Sequence, residues 1–192
     1  MDRRWNEYAN ALESGTSDRV NDALDDVEGL DLDERARLFD VGFDELTALY
    51  EDASDGYVRQ ATVRFAERLV PGLATAFTTR ETDTAQDRVD ELTTQTDRLA
   101  EFLLEAITDD DGRVRKSAKL ALNDVYRTYN ALDDTNAIAA VARELEDLAD
   151  ESEGKIQADV LDAKQEAEFT QRTGYAHLLG DLSDDGRFDM EL

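Results

Sequence analysis

Two stretches of the chain begin alike. Asp55-Gly56-Tyr57-Val58-Arg59 returns as Asp111-Gly112-Arg113-Val114-Arg115, and each leads into an Ala-containing run with helical spacing. Self-similarity at a few tens of residues is the signature of stacked supersecondary units, each unable to bury its apolar face alone. It restricts the chain to a repeat architecture, and such architectures bind other macromolecules along extended surfaces.

The apolar residues supply the period of those units. Leu32, Ala36, Phe39, Phe43, Leu46 and Tyr50 step by four, three, four, three and four. Val89, Leu92, Thr96, Leu99, Leu103 and Ala106 form a second stripe, and Ile138, Val141, Leu145 and Leu148 a third. Shorter stripes run through Trp5, Tyr8 and Leu12, and through Val20, Leu24 and Val27. This is the spacing of helices with one buried face. With one Pro and ten Gly in 192 residues, the pattern predicts an all-α protein.

Short polar residues punctuate the stripes at Thr16-Ser17, Asp31, Ser54-Asp55, 82–84, 109–111, Asp133-Asp134 and Ser152. Their side chains can accept from the free amides of a new helix, where Asp also suits the dipole. Eight helices are expected, near 3–13, 18–28, 32–52, 56–70, 84–108, 112–130, 135–150 and 154–179. Pro71-Gly72 ends the fourth helix, and 71–83 reads as an irregular linker. Residues 1–180 read as one domain and 181–192 as an acidic flexible tail.

The recurring segments match Asp-x-x-Val-Arg-x-x-Ala-x-x-Ala-Leu-x-x-(Leu/Val), a pattern typical of HEAT repeats. Asp111, Val114, Arg115, Ala118, Ala121, Leu122 and Val125 carry it in full. Asp55, Val58, Arg59, Phe65, Ala66 and Leu69 carry it with Thr62 at the first Ala position. Weaker echoes start at Ser17 and Glu153. The starts at 17, 55, 111 and 153 are spaced by 38, 56 and 42 residues, against about 40–47 for HEAT units. The long middle spacing accommodates the linker. The chain thus resembles HEAT-repeat, armadillo-like proteins. The resemblance implies a right-handed α-α superhelix of helix pairs whose second helices line the concave face. It also implies an architectural role for Asp55, Arg59, Asp111 and Arg115, with Asp opening the second helix and Arg pairing with an acid of the adjacent repeat.

Composition narrows the setting. The formal charge is −26; Asp (29) outnumbers Glu (18), and Arg (17) outnumbers Lys (4). Such a bias resembles proteins of salt-accumulating halophiles, where dense carboxylates keep a surface hydrated. The alternative is an acidic nucleic-acid mimic or a tail for a basic partner, but interaction tails usually concentrate their acid in blocks and here it is spread. With no Cys, disulfides, thiolate metal sites and Cys nucleophiles are excluded. The opening Met1-Asp2-Arg3-Arg4-Trp5 has no apolar run after it, and a cytoplasmic protein is expected.

No catalytic residue is nominated, because no phosphate-binding Gly loop, nucleophile elbow or metalloprotease motif occurs. The single His177 lies beside Tyr175, Leu178 and Leu179 and reads as a packing residue. The string from Asp181 to Asp189 resembles the start of a calcium loop, but its twelfth position is Leu192 rather than Glu, so no metal or cofactor is assigned.

The basic residues cluster. Residues 55–70 and 113–127 hold eight bases against three acids. Arg64, Arg68, Lys116, Lys119 and Arg127 fall between apolar positions and are the candidate partner-binding residues. They either line a basic groove or neutralise neighbouring acidic helices. The first reading gives a non-enzymatic protein-binding scaffold whose concave face takes an acidic helix or tail. The alternative is a nucleic-acid binder resembling the HEAT-like DNA glycosylases. It is disfavoured because a strongly acidic chain repels phosphate and concentrated salt weakens phosphate contacts.

Overall fold

The computed structural model describes residues 3–70 and 89–173. Every regular element among them is an α-helix: α1 (Arg3–Glu13), α2 (Ser17–Glu28), α3 (Leu32–Asp52), α4 (Gly56–Leu69), α5 (Val89–Ala106), α6 (Gly112–Ala131), α7 (Thr135–Glu151) and α8 (Gly154–Thr173). These correspond to the eight expected helices. The expected linker 71–83, the tail from 181, His177 and the calcium-loop-like string lie outside the described residues.

Aspartates start four of the helices. The side chains of Asp31, Asp55, Asp111 and Asp134 accept from the amides of Glu34, Tyr57, Arg113 and Ala137 at 2.8–2.9 Å. Each contact satisfies one donor that the first helical turn leaves free.

Consecutive helices form antiparallel pairs: α1 with α2, α3 with α4, α5 with α6, α7 with α8. The pairs stack into an α-α superhelix. The second helices α2, α4, α6 and α8 pack closely side by side, whereas α1, α3, α5 and α7 touch more lightly along their own row.

One apolar core runs from Trp5 in α1 to Ala167 in α8. The expected stripes supply it: Ala36, Phe39, Phe43, Leu46 and Tyr50 of α3 are buried, as are Leu92, Thr96, Leu99, Leu103 and Ala106 of α5. Aromatic edges knit the layers, with Trp5 and Tyr8 against Phe65 at 6.1 and 5.1 Å and Phe43 and Tyr50 against Phe102 at 6.0 and 5.2 Å. Thr62, at the position where the repeat pattern has Ala, is fully buried. Its hydroxyl donates to the Val58 carbonyl at 2.9 Å, so the departure leaves no unsatisfied polar atom. Gly42 is obligatory for another reason: a Cβ there would lie 2.3 Å from the Trp5 indole, so α3 approaches α1 more closely than any side chain permits.

Candidate functional site

The turn between α5 and α6, the two helices of one pair, is built around Asp109. Arg59 of α4 grips its carboxylate with two bonds, Nε to Oδ2 at 2.7 Å and Nη2 to Oδ1 at 2.9 Å. The same guanidinium donates to the Ala53 carbonyl at 3.1 Å and pairs with Asp110. The Tyr50 hydroxyl and the Asp111 amide also donate to Asp109, each at 2.7 Å. Burial alone pushes the Asp109 carboxyl up, but these donors outweigh it and hold the group below the ordinary carboxylate range.

Arg115 reaches the same turn from the other side. Its Nη1 donates to the backbone carbonyls of Asp109 and Asp110 at 2.8 and 3.1 Å, while its Nε pairs with Asp159 of α8 at 2.7 Å. Its side chain is only 6% exposed. The turn at 109–111 is therefore clamped twice, by Arg59 through a side chain and by Arg115 through the backbone, and the two clamps tie α4, α6 and α8 into one row. Asp55 and Asp111 cap α4 and α6 in the same way. Asp111 additionally takes the Arg113 guanidinium, and those hydrogen bonds draw its carboxyl down to about 2. Gly56, the first residue of α4, lies against Asp111, where a Cβ would meet the carboxylate at 2.0 Å, so the start of α4 packs directly on the cap of α6.

The five candidate partner-binding bases all lie on second helices but do not share one state. Arg68 of α4 pairs with Glu28 of α2 at 3.4 Å and with Glu67. Lys119 of α6 pairs with Asp162 of α8 at 3.2 Å. Arg127 is exposed and pairs with Asp124 on its own helix. Arg64 is half-buried beside Glu67, whose carboxyl is pushed up, chiefly by burial. Lys116 is exposed, without an ion-pair partner among the described residues. Arg68 and Lys119 thus bridge successive second helices, and Lys116 and Arg127 point away from the stack.

An apolar residue missing from the sequence reading sits among them. Leu120 of α6 is 54% exposed, four residues beyond Lys116 and seven before Arg127, so all three share one helix face. The signal was present as an apolar residue out of phase with the stripe Val114, Ala118, Ala121, Leu122 and Val125. Asp109 and Asp159 left no comparable signal, because each is one Asp among 29.

Comparison with protein-family models, curated proteins and solved structures gave no match. Among the described residues, no group of acidic or His side chains is placed to hold a metal ion, and no helix is long and apolar enough to cross a membrane.

Proposed function

We propose that this chain is a HEAT-like repeat scaffold, non-enzymatic and cytoplasmic, that binds a protein partner on the face formed by α2, α4, α6 and α8. The observation that carries this reading is the exposed stripe Lys116-Leu120-Arg127. An exposed leucine flanked by cations is the complement of an amphipathic acidic helix, which would bury its apolar anchor on Leu120 and set carboxylates against Lys116 and Arg127. The twin Arg clamps support the same reading, because they hold the second helices in a fixed row and present the stripe without reorganisation. The charge of −26, carried mainly by Asp, supports work in concentrated salt. There, short hydrogen-bonded charge pairs and apolar burial survive better than long-range attraction.

The test is affinity capture in concentrated KCl with the wild type, a Lys116→Glu/Lys119→Glu variant and a Leu120→Ser variant, after folding of each is checked by circular dichroism. The reading expects one set of proteins retained by the wild type and lost from both variants, with nuclease treatment of the lysate making no difference. Retention by both folded variants would remove this face as the binding surface. Loss on nuclease treatment would make the partner a nucleic acid.

A further inference from the structure

α8 is apolar on two sides. Val160, Ala163 and Ala167 are buried in the core with Ile156 packed beside them. Asp159 and the Ala163 carbonyl meet Arg115 and Tyr126 of α6, and Lys164 reaches Glu146 of α7 at 3.0 Å. The arc left over carries Ala158, Leu161, Gln165, Phe169 and Arg172, all exposed. Leu161 is 47% and Phe169 56% exposed. Apolar residues scattered singly on a surface mean little, but a leucine and an aromatic ring on one helix face form a patch with a packing role.

The spacing identifies what packs there. The five positions step by three, four, four and three, a sequence that reads the same in both directions about Gln165. Two copies of α8 laid antiparallel on a two-fold axis through Gln165 set Leu161 on Phe169 of the second copy and Ala158 beside Arg172 of the second copy. Every contact is then made twice, as an isologous interface requires. Steps of three and four are also those of a seam between two helices. On one flank of the seam, Lys164, which bridges Glu146 and Glu168 in its own chain, comes level with Glu168 of the second copy. On the other flank, Asp162 and Glu166 come level with Glu166 and Asp162 of the second copy, acid on acid.

We propose that the exposed face of α8 is a self-association surface, on which a second copy of this chain packs antiparallel about Gln165. The acidic flank and the charge of −26 on each chain oppose the contact in dilute buffer. At 1 M KCl the Debye length is about 3 Å, so that repulsion is screened while the apolar contact persists. Association therefore strengthens with salt, whereas a charged peptide held on the same face by ion pairs would be released by it. The seam spans about 21 Å at 1.5 Å per residue, a small contact, so the dimer is weak and reversible. It uses none of Lys116, Leu120 and Arg127, so this assignment and the α6 reading can fail separately.

The test is sedimentation velocity of the full chain over a series of protein concentrations, from the lowest KCl that keeps it folded to 3 M. A monomer–dimer equilibrium that tightens with KCl is expected. Leu161→Glu should weaken it at least tenfold with helical circular dichroism unchanged, Leu120→Ser should change it less than twofold, and Glu166→Gln should bring the dimer in at lower KCl. The chain has no Cys, so single cysteines report the register. Gln165→Cys meets its own copy on the axis and should form a disulfide-linked dimer under mild oxidation. Ala158→Cys lies about 21 Å from its own copy and should not. Equal cross-linking at both positions would overturn the antiparallel pairing. A dimer indifferent to Leu161→Glu, or one that loosens as KCl rises, would overturn the proposal. So would a monomer under all conditions, and a lowered melting temperature of Leu161→Glu would then mean that the chain itself covers this face.

Discussion

Arg115 and Arg127 lie on one helix and have opposite energetic meanings. Arg115 is buried, with Asp159 and two backbone carbonyls as acceptors, so truncating it strands those acceptors and the Asp159 charge. Arg115→Ala should cost about 3 kcal/mol, the low end for breaking one side of a buried pair, because the Asp159 side chain is 31% exposed and water can reach it. Arg127 is 70% exposed and its pair with Asp124 lies within one helix, so Arg127→Ala should cost less than about 1 kcal/mol. Urea midpoints at fixed KCl measure both, and equal losses would contradict the clamp. The acids at the same turn set a pH limit. Asp109 and Asp111 titrate lower in the folded chain than their ordinary range, so their contribution is complete above a pH of about 5 and drains away as pH falls through about 4 toward 2. Glu67 and Glu105 are shifted up and work in the other direction: protonating them relieves the fold. Melting temperature should therefore hold or rise slightly from pH 7 to about 5 and drop below about 4. Glu105→Gln should reduce the rise, and Asp111→Asn should flatten the drop. A monotonic fall beginning at pH 7 would refute this order.

At the scale of the helices, spacing and caps made the elements legible in the sequence. A stripe stepping by three and four can be satisfied only by a helix with one buried face, and an Asp before four of the helices marks the start. Close approach was not legible. Gly42 sits inside the strongest stripe, where pattern alone treats glycine as a weak helix former that Ala would improve. The indole of Trp5, thirty-seven residues earlier, occupies the space a Cβ would need. Gly42→Ala gains about 1 kcal/mol of helix propensity but forces an overpacked contact costing about 1–3 kcal/mol or more. The net prediction is destabilisation. Gly29 is the control, since its φ of −78° is ordinary and an added Cβ meets its nearest neighbour at 3.5 Å. Gly29→Ala should be neutral or stabilising by about 0.4–1 kcal/mol through the unfolded chain. Urea denaturation of the two variants compares them directly. Stabilisation by Gly42→Ala would mean that α3 and α1 can separate at no cost.

For the whole molecule, legibility followed scarcity. Bases number 21 against 47 acids, so a base cluster on α4 and α6 stood out, whereas the acids that receive those bases could not be told from the rest. The same imbalance determines how the fold responds to solvent. The formal charge of −26 is compressed into a smaller volume on folding, and the ion pairs on the second helices offset only part of it. In dilute buffer that repulsion acts across the whole molecule, because the Debye length is about 30 Å at 0.01 M. At 1 M it is about 3 Å and only contacts remain. The buried Arg59 and Arg115 clamps are short and shielded from solvent, so screening relieves the repulsion far more than it weakens them. Thermal stability should therefore rise steeply between about 0.01 and 1 M KCl and more slowly above that, with helical circular dichroism unchanged once the chain is folded. A variant with Asp18, Asp22 and Asp25 replaced by Asn should need less KCl to reach the same melting temperature. Equal stability at both ends of the titration would mean that the carboxylates are already balanced within the fold, and the electrostatic account of this surface would fail.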